Sequence, residues 1–81
     1  MEEEKRKQIK DRLNRVFQEV FDDDSIQIFD EMNSDDIEEW DSLIHITLVV
    51  SVEKEFCIEL NASEVGKLEN VAAMIDIIMS R

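Results

Sequence analysis

The stretch DIEEWDSLIHITLVVSVEKEF, residues 36–56, passes from an acidic segment into an apolar one, and it decides the fold. Asp41 and Ser42 stand at the boundary, and both belong to the residue types that favour the N-cap of a helix. Beyond them, apolar residues recur at the spacing of one helix face: Leu48, Val49, Val52 and Phe56. No turn residue frames the β-branched run within this segment, so we predict a helix over residues 42–56 rather than a strand.

The flanking segments predict three more helices. In the N-terminal segment, apolar residues follow the i, i+3, i+4 pattern: Ile9, Leu13, Val16, Phe17, Val20 and Phe21. Three adjacent aspartates, residues 22–24, oppose the negative end of the helix dipole and should end that helix. Asn61 and Glu64 form the capping box of a short third helix, which Gly66 weakens or ends. Asn70 caps a last helix whose apolar face is Val71, Met74, Ile75 and Ile78.

Residues 22–41 show no sustained period and predict a long loop, with room for a short helical turn at residues 34–38. The apolar residues of this loop are expected to plug the core: Ile26, Ile28, Phe29, Met32, Ile37 and Trp40. The chain contains no proline, one glycine and no internal repeat. We therefore predict an all-α fold, a four-helix bundle of three main helices and a short third helix, in a single domain spanning residues 1–81.

The charge of the chain is strongly uneven. The net charge is −12, and residues 22–41 hold ten acids and no base, whereas residues 1–15 hold six of the nine bases. Such a field repels nucleic acid and anionic lipid, so neither is an expected partner, and it would attract a protein with a basic patch. The alternative explanation of the acidic charge is that it only keeps the protein soluble. The acids lack the ligand pattern of a calcium loop, so loose cation binding is expected rather than a dedicated metal site.

Size and composition limit the function further. A chain of 81 residues has little room for an enclosed enzyme pocket, which argues against catalysis. No apolar run is long enough for membrane insertion, and the first residues lack the pattern of a signal peptide. A cytoplasmic location is therefore expected.

Four side chains near the predicted second helix could carry chemistry. Asp41, Ser42 and His45 are the residue types of a hydrolase triad, but their spacing argues against one, because Asp41 and Ser42 are adjacent and no glycine-flanked elbow surrounds the serine. His45 is expected to be exposed or partly packed, where it could contact a group bound near Ser42. Cys57 follows the C-terminal end of the helix, where the dipole disfavours a thiolate, so we predict a small buried hydrophobe.

Ser42 itself allows two interpretations. A helix N-terminus presents unpaired N–H groups and a partial positive charge, which stabilise an attached phosphate. A serine there can therefore carry a phosphodiester. The residues alone favour a plain N-cap, worth about 1 kcal/mol.

The order of motifs resembles the acyl carrier protein family. The residues are DSL at 41–43, a helix that ends in EKEF at 53–56, and IEL at 58–60. The loop DEMNSDDIEEWDSL, residues 30–43, is similar to the loops of small stand-alone members. The resemblance extends from the first helix to the VAAMI run of the last, residues 71–75, and so covers nearly the whole chain.

The resemblance implies a carrier and not an enzyme. In that family a separate 4′-phosphopantetheinyl transferase uses coenzyme A and a divalent metal to attach 4′-phosphopantetheine to the serine that corresponds to Ser42. The thiol of this arm holds an acyl or aminoacyl group as a thioester. The implied partners are that transferase, a ligase that loads the arm, and downstream acyltransferases and synthases, with the carrier acting as a monomer.

The resemblance also implies which side chains bind partners. Asp41 and Leu43 match residues that flank the attachment site and contact partners. We predict further contacts from the second helix: Ile44, Ile46, Thr47, Val50 and Glu53. Members that serve fatty-acid synthesis carry acids at the positions of Ile44 and Thr47.

The third-helix acids of those members correspond here to the uncharged Ala62, Ser63 and Gly66. A dedicated pathway, whose enzymes bind through apolar contacts, is therefore expected. An aminoacyl carrier of the D-alanyl or peptidyl type remains an alternative. The other alternative is an acidic protein–protein adaptor whose Ser42 is not modified.

Overall fold

The computed structural model describes residues 2–81, and the regular elements it describes there are four α-helices. They are α1 (Glu2–Val20), α2 (Ser42–Phe56), α3 (Ala62–Gly66) and α4 (Val71–Met79). The predicted all-α fold is thus confirmed, and the β-branched run lies inside α2. No helix forms at residues 34–38, where the chain makes a turn and the Asp36 N–H donates to the Asn33 carbonyl at 3.0 Å. No helix among the described residues is long and apolar enough to cross a membrane.

One apolar core joins the long helices and the loop between α1 and α2. Its buried side chains are Ile9, Leu13, Val16, Phe17, Ile26, Ile28, Met32, Ile37, Trp40, Leu48, Val49, Val52, Leu68, Val71, Met74, Ile75 and Ile78. The predicted burial of the loop's apolar side chains is therefore confirmed, with one exception. Phe29 is 42% exposed. The reason is that side chains alternate between the two sides of extended backbone, so burial of Ile26 and Ile28 turns Gln27 and Phe29 outward.

The loop also completes the N-terminus of α4. The first N–H groups of a helix have no partner within it. The Val71 N–H donates to the Met32 carbonyl and the Ala72 N–H donates to the Asp30 carbonyl, both at 2.9 Å. Asn70, the predicted cap, accepts the Ala73 N–H at 2.8 Å. The long loop is therefore part of the packed structure.

Ion pairs between α1 and the loop explain part of the uneven charge. Lys10 and Arg6 contact the Asp30 carboxylate at 2.9 and 3.3 Å, and Arg6 also contacts Asp76 of α4 at 2.8 Å. Hydrogen bonds from Lys10 and Arg6 lower the pKa of Asp30, and those to Asp76 and Asp30 raise the pKa of Arg6. Because these side chains are partly solvated, each pair contributes at most about 1 kcal/mol. Their role is to hold the acidic loop against the basic helix.

Candidate functional site

The two residues before α2 fix the position at which it starts. Asp41 is the N-cap, and its carboxylate accepts the Ile44 N–H at 2.9 Å. Trp40 is buried, as predicted, and its ring meets Phe17 edge-on with 5.4 Å between ring centroids. A second edge contact, to Phe21, has a centroid distance of 6.1 Å. The junction between loop and helix is thereby anchored in the core on the side opposite to solvent.

Ser42 is the first residue of α2 and is exposed. The interpretation of this serine as a plain N-cap is wrong, because Asp41 takes that position and its charged carboxylate also suits the positive end of the helix dipole. The Ser42 hydroxyl makes no hydrogen bond to any described residue. It is therefore free to carry a substituent at the helix start.

His45 lies one turn beyond Ser42 and is half-buried, in agreement with the prediction. The Trp40 Nε1–H donates to its Nδ1 at 3.1 Å, and the two rings lie side by side in nearly parallel planes, with 6.1 Å between centroids and 17° between planes. In a hydrolase triad Nδ1 would instead donate to a carboxylate. The Asp41 carboxylate, moreover, is already engaged as the helix cap. The three residues therefore do not form a triad.

An open groove of about 560 Å³ runs past the Ser42 hydroxyl. It is lined by Ser34, Trp40, Asp41, Ser42, His45, Ile46, Leu68 and Glu69. The groove thus combines apolar side chains with polar and acidic ones, which suits an amphipathic chain better than a purely apolar one. Leu68 and Glu69 were not predicted as site residues, because they follow α3 and no local pattern places them beside Ser42.

An apolar stripe follows one exposed face of α2. Leu43, Ile46 and Val50 are 79%, 61% and 42% exposed, and Thr47 lies among them. Their spacing of three and four residues places them side by side along the helix. We call these four residues the α2 stripe. Side chains of this kind, grouped and exposed, are typical of a surface that binds a partner.

Two predicted partner-binding residues are placed differently. Ile44 is half-buried and packs against the core. Glu53 is also half-buried, and its carboxylate accepts the Leu60 N–H at 2.8 Å, which fixes the segment that leads into α3. Asp41, the remaining predicted contact residue, is exposed at the start of the stripe.

Cys57 does not match its prediction. The residue is exposed and forms the C-cap of α2 in the left-handed conformation, with φ of 53°. Its backbone N–H donates to the Glu53 carbonyl and closes the last turn of the helix. The predicted burial is wrong because the chain reverses at this residue and turns its side chain outward.

No metal centre accompanies the groove in the part of the chain that the structure describes. Within residues 2–81, no three or more His, Cys, Asp and Glu side chains are grouped so that they could hold an ion.

Comparison with solved structures gives a clear likeness. No protein-family model matches the chain, and no curated protein sequence matches it. Among solved structures, it is similar to the solution NMR structure of the holo acyl carrier protein from Geobacter metallireducens, with a TM-score of 0.81 and 41% sequence identity. The match covers 86% of this chain and 80% of that one.

Proposed function

The chain belongs to the acyl carrier protein family, whose members are carriers rather than enzymes, and on this premise we propose that it carries acyl groups on a 4′-phosphopantetheine arm attached to Ser42. The observation that carries the proposal is the state of the Ser42 hydroxyl. It is exposed, it is free of hydrogen bonds to described residues, and it lies at the first position of α2 beside an open groove. As part of the same proposal, the chain acts as a single-domain monomer in the cytoplasm.

The start of α2 suits a phosphodiester on Ser42. The Asp41 carboxylate accepts a hydrogen bond from one N–H group of the first turn, that of Ile44. The N–H groups of Ser42 and Leu43 have no partner within the helix. These groups and the positive end of the helix dipole favour a bound phosphate. When attached, the arm supplies a thiol that holds the acyl group as a thioester. The N–H groups at the start of α2 would bind the phosphate, and the rest of the arm would lie at the groove.

The partners that we propose are a 4′-phosphopantetheinyl transferase, a ligase that loads the arm, and acyltransferases or synthases of a dedicated pathway. The α2 stripe supports apolar docking beside the arm, since Leu43 and Ile46 are mostly exposed. The acidic loop would steer a partner with a basic rim toward this face. An aminoacyl cargo would use the same serine and arm, so the loading enzyme decides between the two cargoes.

We expect the purified chain to gain one phosphopantetheine group when it is incubated with coenzyme A, magnesium and a broad-range transferase. Intact mass measurement checks the gain. Because Cys57 is the only cysteine and is exposed, a thiol assay should rise from one thiol to two per chain. The Cys57→Ser variant should rise from none to one. No mass gain under conditions that load another carrier would favour the unmodified adaptor instead.

The α2 stripe should govern recognition by partner enzymes. We expect Ile46→Glu to lower kcat/KM of the source organism's own transferase for this carrier by about tenfold, the factor that corresponds to about 1.4 kcal/mol of lost apolar contact. Initial loading rates at several carrier concentrations measure it. Phe29→Glu is the matched control, because Phe29 is also exposed and apolar but lies in the loop. Equal losses in both variants would mean that added charge, and not the stripe, reduces the rate.

A further inference from the structure

We propose that Trp40 and His45 form a seat for the phosphodiester of the loaded arm. Trp40 fixes the tautomer of His45, and the His45 Nε2–H donates a hydrogen bond to the phosphate on Ser42. The inference rests on the proposed function, since it requires a phosphodiester on Ser42.

First, the hydrogen bond from Trp40 determines which nitrogen of the His45 ring carries the proton. An indole N–H is a donor only, so the Trp40 Nε1 contact of 3.1 Å to His45 Nδ1 requires Nδ1 to be an acceptor. In the neutral ring the proton then resides on Nε2. No described residue accepts a hydrogen bond from Nε2. The His45 Nε2–H is therefore a donor that lies at the groove without an acceptor among the described residues.

The second step is reach. Ser42 and His45 are three positions apart on α2, which places their Cβ atoms about 5–6 Å apart on one face. Both line the same groove. A phosphate bonded to the Ser42 Oγ would project into the space between them. The contact therefore needs no change in the helix.

The third step is rigidity. His45 is bonded to the edge of Trp40, and Trp40 meets edge-on the rings of Phe17 in α1 and of Phe21 just after it. The donor is thus fixed through an indole that is only 6% exposed. A hydrogen bond from a group that is already held costs less entropy than one from a free side chain. Trp40 acts here as a positioning residue, and His45 as the residue that contacts the phosphate.

Two carboxylates are competing acceptors. That of Glu69 lines the same groove, so it could take the Nε2–H bond in place of the phosphate. The Asp41 carboxylate, also at the groove, accepts the Ile44 N–H through Oδ1, and its second oxygen, Oδ2, could accept the Nε2–H bond as well. A test must therefore separate the phosphate from both carboxylates.

Two substitutions divide the functions of the ring. His45→Asn keeps an acceptor near the position of Nδ1 and removes the donor at Nε2. His45→Gln keeps a donor near the position of Nε2 and removes the acceptor for Trp40. The measurements use holo protein of each variant: phosphorus NMR of the phosphodiester, and hydrogen exchange of the single tryptophan's Nε1–H.

We expect the phosphorus resonance of His45→Asn to move to the value of the holo protein unfolded in urea, while His45→Gln keeps the wild-type value. Exchange of the Trp40 Nε1–H should quicken about fivefold in His45→Gln, as loss of one hydrogen bond would give, and stay unchanged in His45→Asn. Circular dichroism of both variants verifies that the helices are intact.

Two results would overturn the seat while leaving the proposed function in place. One is a phosphorus resonance that is the same in wild type and both variants. The other is a change in the nitrogen resonances of the His45 ring on Glu69→Gln or Asp41→Asn in the unloaded protein, with no change on loading. Absence of any mass gain on Ser42 would instead overturn the proposed function, and the seat with it.

Discussion

Replacement of Ser42 by alanine is expected to abolish loading completely while leaving the stability of the fold unchanged. The hydroxyl is the proposed attachment point, so its loss removes the mass gain altogether. The fold should not be affected, because Asp41 caps α2 and the Ser42 hydroxyl has no partner among the described residues. Intact mass after the transferase reaction and urea denaturation of the same sample give the two values.

Asp41→Ala is the matched comparison, since it removes the cap and keeps the hydroxyl. It should lose about 1 kcal/mol of stability and still gain the full mass when the reaction is complete, even where loss of a transferase contact slows the loading. Ser63→Ala, at an exposed position of α3, controls for loss of any serine and should load as wild type does. If Ser42→Ala were destabilised by as much as Asp41→Ala, the assignment of the cap to Asp41 would be wrong. If it still gained mass, another residue would carry the group.

Replacement of Phe17 by alanine is expected to cost about 3–5 kcal/mol of folding free energy. Phe17 is fully buried, and its ring contacts both Phe21 and Trp40. The cavity would therefore open beneath the residue that anchors the start of α2. Since small domains are stable by only about 5–15 kcal/mol, much of the population should unfold on mild heating. Urea denaturation followed by circular dichroism measures the loss.

Phe17→Leu is the control for this prediction, because it keeps most of the apolar volume and should cost far less than Phe17→Ala. The fluorescence of Trp40 adds a local readout, since this tryptophan lies against the Phe17 ring. A loss below about 1 kcal/mol in Phe17→Ala would show that the site collapses readily and that the core is less tightly packed than the structure indicates.

The helices could be predicted because their signals are local. Asn61 and Glu64 form the capping box of α3 as their spacing indicates, and Asn70 caps α4. The α2 bounds agree with the predicted residues 42–56. The caps depend on residues three positions apart and the helix faces on a repeat of three and four positions, so the sequence order contains the information.

The features that could not be predicted depend on the path of the chain in space. Cys57 was expected to be buried, yet the reversal after α2 turns it outward. Glu69 reaches the groove only because α3 and the following turn fold back beside α2. The contact of Arg6 with Asp30 and Asp76 joins three separate segments, and no periodicity reports such a contact.

The N-cap of α2 could be predicted only in part. Asp41 and Ser42 are adjacent and both favour the N-cap, so propensity alone does not decide between them. In the structure Asp41 directly follows the buried Trp40, lies in extended backbone, and accepts the Ile44 N–H with its carboxylate. The hydroxyl of Ser42 is thereby left free, and the order of the two residues alone does not show this.

The central claim is that the prosthetic group is attached to Ser42 and to no other residue. Trypsin cuts after Arg15 and Lys54, so one peptide, residues 16–54, contains four of the chain's serines: Ser25, Ser34, Ser42 and Ser51. Fragmentation of this peptide from the loaded protein in a mass spectrometer locates the added mass. We predict that every fragment containing Ser42 carries it and that no fragment lacking Ser42 does. Added mass on another serine, or on the peptide that contains Cys57, would contradict the claim.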